Sequence, residues 1–562
     1  MGSVVKGDVG KEAPASANGH ARGTLDAQGV EEAALEVAES TDMFAPGVAV
    51  EPAAQAEVVA AGTVAVDAQE AELTPQERRA VSKSVFRLAW PAIAENALQT
   101  LLGIVDTAVV ARLGTAALSG VGAAQQLVWI LTTALVAISM GATVLVARHI
   151  GAKQKHDANA VLKQSLVLSV IASLALMPIA LLAHPLMTML GLTSEAADEG
   201  ATFLGITLVC AVPLVMMFVA SAAMRGAGDT RTPMLVTAGI NVINAILAVE
   251  FVFGGDKASE ILGGWLTGIV HAFGGSAQVA IPGLGWIPEM GVAGSAWASV
   301  IARGIGAVIL LGMFFLPRSS LSLLKGSGGT WRPDFGIVRR IMKIGVPSAF
   351  EQLFMSLGIL IYSLLVIGLG EVVFATSRLA LNAVFLSQMP GFGFSMAATT
   401  LVGQSLGARS PRRALLGAQL ATRSAVVWMG LMGVVFFFFG EPIMRMFTDD
   451  QRLIGLGVES LRVIALYQPM LAVAFVLGGA LRGAGDVRFP MWVTTFGVWL
   501  VRLPSGAFLG LHSVCIPFTD LCVPGLGWGL VGIYAALIVE STIRAILLYV
   551  RFREGKWQSM KV

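Results

Sequence analysis

The chain has 562 residues, of which 55% are hydrophobic and only 13% are charged. Soluble domains carry about 25% charged residues, so this composition excludes an ordinary soluble domain and favours an integral membrane protein. The three cysteines exclude a disulfide framework. The net charge of +2 conceals an uneven distribution, because acidic residues are concentrated near the amino terminus.

Residues 1–80 form a polar amino-terminal segment. Its first 75 residues contain 13 acidic residues, three basic residues and one aromatic residue, Phe44. A segment of this composition buries too little apolar surface to offset the entropy of ordering it, so we predict a disordered acidic tail. A secretory signal is not indicated, because a basic region followed by an apolar core is lacking.

Beyond about residue 84 the chain consists of apolar stretches separated by polar loops. Each stretch has the roughly 20 residues that a helix needs to cross a bilayer. Twelve transmembrane helices are predicted, near residues 86–110, 120–147, 162–184, 201–223, 233–254, 291–316, 341–366, 374–402, 417–439, 457–480, 489–511 and 528–550. A further stretch at 259–275 is apolar but short and interrupted by glycine, and we predict a surface helix there.

The two halves of this region repeat each other. A constant shift of 256 positions aligns residues 90–114 with 346–370, and a shift of 257 aligns MRGAGDTRTPM (224–234) with LRGAGDVRFPM (481–491). Two like halves that face each other across a cavity are common among secondary transporters. The sequence therefore predicts an all-α integral membrane protein with two pseudo-symmetric six-helix bundles. We place these lobes at 81–316 and 338–562, with a cytoplasmic linker at 317–337.

Basic residues are distributed unevenly between the two sets of loops. The loops on the side of both termini contain most of the lysines and arginines, whereas the opposite loops contain little beyond Arg112, Lys257, Arg445 and Arg452. The positive-inside rule places the basic side in the cytoplasm. We therefore expect a multi-pass protein of the cell (inner) membrane with both termini cytoplasmic.

Three polar residues share one face of the first predicted span. Gln99 and Asp106 follow Glu95 by four and eleven residues, which places all three on one side of a helix that turns 100° per residue. An ionisable group at membrane depth is costly, so we interpret this stripe as the wall of a water-filled cavity. The alternative is that these side chains bond only to neighbouring helices.

Two prolines precede glutamates at equivalent places in the halves. Pro91 and Pro347 lie about one turn before Glu95 and Glu351. A proline inside a helix removes one backbone hydrogen bond and bends the helix. The pattern fits a moving bend or a static kink.

The first half has further polar residues on its fifth and sixth spans. Asn241 and Asn244 share a helical face because they are three residues apart. Ser295 and Ser299 lie on the sixth span, and hydroxyls and amides commonly hold membrane helices together.

The second half differs from the first at the corresponding positions. Its seventh span carries Glu351, Gln352 and Tyr362, and Tyr362 stands where the first half has Asp106. We infer that the halves share a shape but have diverged in role. For the two RGAGD segments we predict a structural role in the hairpins between spans.

Catalytic and nucleotide-binding patterns are missing from the sequence. It contains no GxxxxGK[ST] loop, no HExxH or GxSxG motif, and no metal-ligand spacing of histidines and cysteines. We therefore expect neither an enzyme nor a resident metal or cofactor, and no nucleic-acid partner. An ion gradient is the remaining source of energy for pumping, and Asp106 is able to carry a proton or bind a cation.

Several segments together resemble the multidrug and toxic compound extrusion (MATE) transporters. They are WPAIAENALQTLLGIVDTAVVARLG with VDT at 105–107, the MRGAGDTRTPM hairpin, and PSAFEQ at 347–352. The resemblance covers about residues 84–551. It implies two lobes around a central cavity that opens alternately to either side, and efflux of organic, often cationic, compounds in exchange for protons or sodium. Because two lobes enclose a complete pathway, we expect a monomer.

The resemblance also implies roles for individual residues. Pro91 has the position of the family's bending proline. The ion-coupling residues are expected to be Asp106, Asn244, Ser299 and Glu351. From the polar positions of the spans themselves, and not from the resemblance, we expect the substrate cavity to involve Glu95, Gln99, Asn241, Gln352 and Tyr362.

The chain departs from the family pattern on its fifth span. Ala248 stands where the resemblance leads us to expect an aspartate, and the tenth span lacks the aspartate of a carboxyl-lobe sodium site. A hard cation needs several oxygen ligands, so we favour proton coupling through Asp106 over sodium coupling. The alternative function is a flippase of lipid-linked precursors with the same two-lobe architecture. Its phosphate cargo favours basic cavities, whereas the polar residues here are mostly acidic.

Overall fold

The structure, a computed structural model, describes residues 74–133, 135–272, 288–317, 319–324, 326–515 and 522–560. The first helix, α1, begins at Pro75, so residues 75–80 are helical rather than part of the tail to which we assigned them. Thr74 explains this start. Its side chain accepts a hydrogen bond from the Glu77 backbone, and the Glu77 carboxylate accepts one from the Thr74 backbone, which forms a capping box. The rest of the predicted tail lies outside the described residues.

Ten α-helices lie in the described residues of the amino-terminal half. They are α1 (Pro75–Val110), α2 (Thr115–Thr133), α3 (Val136–Gly151), α4 (Lys155–Leu176), α5 (Ala183–Met189), α6 (Ser194–Val209), α7 (Ala211–Ala227), α8 (Arg231–Phe253), α9 (Gly255–Ala272) and α10 (Gly291–Met313). Short 3-10 helices follow α1 (Ala111–Leu113) and α4 (Met177–Leu182). Helix α9 overlaps the predicted surface helix, whose positions 273–275 lie outside the described residues.

Eight α-helices lie in the part of the carboxyl-terminal half that the structure describes. They are α11 (Phe335–Ile367), α12 (Glu371–Gly407), α13 (Pro411–Phe438), α14 (Gly440–Arg445), α15 (Gln451–Ala484), α16 (Arg488–Phe496), α17 (Leu503–Gly510) and α18 (Gly529–Arg553). A π-helical segment, Gly497–Arg502, joins α16 to α17. Strands β1 (Ser513–Cys515) and β2 (Cys522–Pro524) pair antiparallel, and a 3-10 helix (Lys556–Ser559) follows α18.

Most of these helices are suited to a membrane. Among the described residues, nine helices are long and apolar enough to cross a bilayer. Two further spans are bent pairs, α2 with α3 and α6 with α7, and the second pair is bent by 59°. The predicted span 489–511 corresponds to α16, the π-helical segment and α17, which have nine, six and eight residues and are too short to qualify separately. The helices therefore follow the predicted order of spans.

Close backbone contacts between the halves follow a pseudo-twofold relation. A Cβ atom at Gly345 on α11 would overlap the carbonyl oxygen of Ala137 on α3, and a Cβ at Gly393 on α12 would lie 3.1 Å from the carbonyl oxygen of Ala89 on α1. The shift of 256 that aligns the sequence halves converts Ala89 into Gly345 and Ala137 into Gly393. Each half thus presents the same surface to the other, as an isologous interface requires.

A second reciprocal pair of contacts lies at the ends of α3 and α12. Gly151 packs on the backbone of Gln404, and Gly407 packs on the backbone of Arg148, again related by a shift of 256. Arg148 donates hydrogen bonds to the carbonyl oxygens of Ala484 (3.3 Å) and Met560 (2.7 Å). These contacts concentrate the packing of the two halves at the end that carries the basic loops.

The predicted linker 317–337 is an irregular segment held against α4 in its described part. Lys163, which is buried, donates to the carbonyl oxygen of Gly328 at 2.6 Å. Gln164 donates to the carbonyl oxygens of Thr330 and Arg332 and accepts from the Asp334 backbone. Asp334 then caps α11 by accepting from the next backbone amides. The linker is therefore attached to the amino-terminal half right up to the start of α11.

We predict that Gly345→Ala destabilises the packed halves. The added methyl group overlaps the backbone of α3, and overpacking of this kind costs about 1 to 3 kcal/mol. Gly430→Ala on α13 is the matched control, because no atom lies within 4 Å of its added Cβ and alanine favours a helix over glycine. Thermal denaturation of the purified protein in detergent measures both variants. Equal midpoints for Gly345→Ala and wild type would contradict the close contact.

Candidate functional site

A buried carboxylate with two neutral hydrogen-bond donors forms the centre of the amino-terminal half. Asn244 on α8 donates to Oδ1 of Asp106 on α1 at 2.6 Å, and the Ser299 hydroxyl on α10 donates to Oδ2 at 3.1 Å. All three side chains are no more than 3% exposed. Three of the four predicted ion-coupling residues are therefore brought together.

Small residues on α10 allow this cluster to close. A Cβ atom at Gly294 would overlap the carbonyl oxygen of Phe251, and a Cβ at Gly306 would overlap the Ile240 side chain on α8. Close approach of helices through small residues is usual in membrane proteins. It brings Asn244 and Ser299 to opposite oxygens of the same carboxylate.

A guanidinium group accompanies the carboxylate. Arg303, one helical turn after Ser299 on α10, interacts electrostatically with Asp106. In the part of the chain that the structure describes, Arg303 is not within ion-pairing distance of a carboxylate. No role was predicted for Arg303 from the sequence, although a charged residue in the middle of an apolar span marks a functional position.

In each half an ion pair connects the first span to the fourth span, and the two pairs are equivalent. Glu95 on α1 pairs with Arg225 at the end of α7 at 2.7 Å, and Glu351 on α11 pairs with Arg482 on α15 at 2.9 Å. Thr494 on α16 also donates to Glu351 at 3.0 Å. The predicted coupling residue Glu351 thus lies in an ion pair of the carboxyl-terminal half and is not part of the Asp106 cluster.

The arginines of these ion pairs are the first residues of the two RGAGD segments. Each helix ends with a glycine in the left-handed region, Gly228 (φ 91°) and Gly485 (φ 95°), whose amides bond back to the arginine carbonyl oxygens. The following aspartates bond to the residues before the arginines, which completes Schellman motifs. Besides the structural role in the hairpins that we predicted, each RGAGD turn therefore orients an arginine toward a glutamate, and that pairing was not predicted.

The other predicted residues occupy varied environments. Asn241 donates to the carbonyl oxygen of Leu98 at 2.6 Å, Gln99 is exposed, and Gln352 is partly buried. Tyr362 is buried, and its hydroxyl donates to the carbonyl oxygen of Ile533 on α18. Pro91 and Pro347 lie inside the continuous helices α1 and α11. Whether any of these residues contacts substrate stays a prediction.

The fold and the sequence define a membrane transporter with two related halves. The MatE family model matches residues 91–249 and 347–508, one segment in each half. The chain is 32% identical over 491 residues to the probable multidrug resistance protein NorM of Thermotoga maritima, an alignment that covers 87% of this chain and 96% of that protein. It is 26% identical to the uncharacterised transporter YisQ of Bacillus subtilis, over 84% of this chain and 94% of that protein. The chain therefore belongs to the MATE family of transporters.

Solved structures support the same fold. A multidrug resistance MATE transporter in an outward-facing conformation superposes with a TM-score of 0.71 at 20% identity, and the match covers 87% of this chain and all of that one. A MATE structure in a straight conformation gives a TM-score of 0.71, over 85% of this chain and 97% of that one. The predicted all-α membrane fold of the MATE type is confirmed.

The ion pairs predict an order of stability. Removing one partner of a buried pair strands the other charge and costs about 3 to 5 kcal/mol. The Glu95 and Arg225 side chains are 4% and 9% exposed, whereas those of Glu351 and Arg482 are 12% and 18% exposed. Glu95→Gln should therefore lower the thermal midpoint in detergent more than Glu351→Gln.

The control is a pair of similar geometry at the surface. Glu441 and Arg445 lie 2.6 Å apart but are more than half exposed, and such pairs contribute at most about 1 kcal/mol. Glu441→Gln should leave the midpoint near that of wild type. A larger loss for Glu441→Gln than for Glu95→Gln would exclude a stabilising role for the buried pair.

Proposed function

We propose that the protein is an antiporter that exports organic cations in exchange for protons. The observation that carries this proposal is the buried Asp106 carboxylate, held by Asn244 and Ser299 inside a membrane-spanning half. Burial disfavours the charged form of a carboxylate, whereas hydrogen-bond donors and a nearby positive charge favour it, so the protonation of Asp106 depends on the arrangement of these neighbours. Its charged and neutral forms bind their neighbours differently, which is the requirement for coupling an ion to a conformational change.

Protonation of Asp106 weakens the contacts that hold α1, α8 and α10 together. Hydrogen bonds to a charged carboxylate are roughly twice as strong as those to a neutral acid. A proton on Asp106 also removes its attraction to Arg303 and occupies one of the oxygens that now accept from Asn244 and Ser299. The hydrogen bonds that hold α1 against α8 and α10 are then weaker, and α1 is free to move.

Helix α1 connects this cluster to the interface between the halves. Asp106 lies eleven residues, about 16 Å along a helix, from Glu95, and Ala89 packs against Gly393 two turns earlier. Pro91 lies between the ion pair and that contact. A shift of α1 at Asp106 therefore reaches the packing of the halves through one continuous helix.

Proton coupling is favoured over sodium coupling by the charges at the site. Both oxygens of Asp106 already accept hydrogen bonds, and the nearby Arg303 is a fixed positive charge that opposes a second cation. Ala248 also provides no side-chain oxygen on α8. A proton needs only one lone pair, whereas a sodium ion needs several oxygen ligands.

The arrangement of the halves supports an outward-facing state. Their close contacts lie at the end that carries the basic loops, and the positive-inside rule assigns this end to the cytoplasm. We therefore place both termini in the cytoplasm and the opening of the passage on the opposite side. In this state Asp106 takes up a proton, substrate leaves, and the halves then rock to open inward. Since one chain contains both halves, we propose that it operates as a monomer.

The proposal predicts that Asp106→Asn abolishes exchange. Asparagine keeps the shape of the side chain but cannot change its charge, so ethidium efflux from proteoliposomes driven by a pH gradient should fall at least about 100-fold. Asp198→Asn is the control, because Asp198 is an exposed carboxylate that lies 3.1 Å from His184 and outside the Asp106 cluster. Imposing pH and sodium gradients separately on the wild-type protein identifies the coupling ion.

Each outcome of this experiment is informative. Efflux driven by sodium alone would contradict proton coupling, and normal efflux by Asp106→Asn would contradict the role of this carboxylate. If the wild-type protein moves no ethidium but flips a fluorescent anionic lipid in the same vesicles, the flippase function replaces the proposed one.

A further inference from the structure

The carboxyl-terminal half contains a second interior polar cluster, built around an arginine. The Arg502 guanidinium lies 4.5 Å from the ring centroid of Tyr362 and also interacts electrostatically with Tyr467 and Tyr534. The three tyrosines come from α11, α15 and α18 and are buried. Arg502 thus lies where three helices of this half converge.

The π-helical segment determines the position of Arg502. In the amino-terminal half the Met290 amide donates to the carbonyl oxygen of Phe251, and in the carboxyl-terminal half the Trp528 amide donates to that of Leu509, both at 2.9 Å. These equivalent bonds relate α17 to α8 by a shift of 258, whereas the sequence before Gly497 is related by 257. A π-turn accommodates one extra residue in a helix, which explains the change.

The corrected shift makes Arg502 the counterpart of Asn244. The counterpart of Asp106 is Tyr362 at a shift of 256. Where the amino-terminal half has a carboxylate held by an amide, the carboxyl-terminal half therefore has a phenol ring covered by a guanidinium. The two halves enclose equivalent sites of opposite charge.

Arg502 lacks a carboxylate partner in the part of the chain that the structure describes. No described carboxylate lies within ion-pairing distance of its guanidinium, and its buried Nε has no hydrogen-bond partner there. Glu540 on α18, which interacts electrostatically with Tyr467 of the cluster, pairs with Arg544 at 3.0 Å. Arg502 is partly exposed, so the surrounding helices do not enclose it completely. An unpaired charge within a membrane span is costly and marks a functional position.

We propose that Arg502 forms a subsite for an acidic group of the substrate, such as a carboxylate. A guanidinium binds planar oxyanions through paired hydrogen bonds, and the Tyr362 ring holds it in a fixed orientation. With Asp106 in the opposite half, the protein is suited to zwitterionic substrates that carry a cationic centre and a carboxylate. This inference rests on the proposed export of organic compounds and specifies their class.

Binding of a matched pair of dyes tests the subsite. Tetramethylrhodamine has a cationic ring system and a free carboxylate, and its methyl ester lacks only the acidic charge. Fluorescence polarisation with the purified full-length protein gives the affinity for each dye. The wild-type protein should prefer the acid, and Arg502→Gln should reduce the acid-to-ester affinity ratio by about tenfold or more, since hydrogen bonds to charged groups are the strong ones.

Two controls separate recognition from folding. Arg378→Gln removes an exposed arginine that also lies over an aromatic ring, Phe374, and it should keep the wild-type ratio. If Arg502→Gln does not fold, competition on the wild-type protein replaces it, and benzoate at constant ionic strength should displace the acid but not the ester.

The subsite is excluded if the wild-type protein binds acid and ester equally, if Arg502→Gln weakens both dyes by the same factor, or if benzoate displaces neither. Ethidium efflux by the wild-type protein tests the proposed transport separately. Efflux without a preference for the acid would overturn the subsite alone.

Discussion

The burial of charge away from water is the constraint on which this structure depends. Both halves hold a glutamate on their first span, buried for Glu95 and partly buried for Glu351, and both supply an arginine from the turn that ends their fourth span. The RGAGD turn makes this possible, because its left-handed glycine ends the helix and leaves the arginine directed inward. The ion pairs fix α1 to α7 and α11 to α15 at the end where the halves pack together. Helices that carry interior carboxylates are thereby held in a defined position.

The same frame supports two different interior sites. The amino-terminal half surrounds Asp106 with an amide and a hydroxyl, whereas the carboxyl-terminal half surrounds Tyr362 with Arg502 and two further tyrosines. The two sites differ because Tyr362 stands in place of Asp106, and Arg502, positioned by the π-helical segment, stands in place of Asn244. The contacts between the halves are therefore the same in both directions, whereas the interior positions differ between the halves.

The reciprocal contacts explain how an event within one half affects the other. Ala89 lies on the helix that also bears Glu95 and Asp106, and its partner Gly393 belongs to the opposite half. Contacts of backbone on backbone have no side chain that adapts, so a movement of α1 is not absorbed locally. In the proposed antiport cycle, a change at the carboxylate therefore reaches the interface between the halves through α1.

The sequence alone determined the membrane class, the order of spans, the internal repeat and the residues around Asp106. These features depend on local or periodic properties of the sequence. The length of an apolar segment, the constant shift between the two halves and a polar residue within a span can all be identified without coordinates. Tertiary structure decided that Glu95 and Glu351 pair with the RGAGD arginines, that α1 begins at Pro75, and that Arg502 takes the place of Asn244. Helical periodicity fixes only the face on which a residue lies, whereas its partner depends on which helices approach closely. A π-turn also changes the face on which the following residues lie, because it adds one residue to the helix. The pattern of apolar positions in the sequence does not reveal this extra residue.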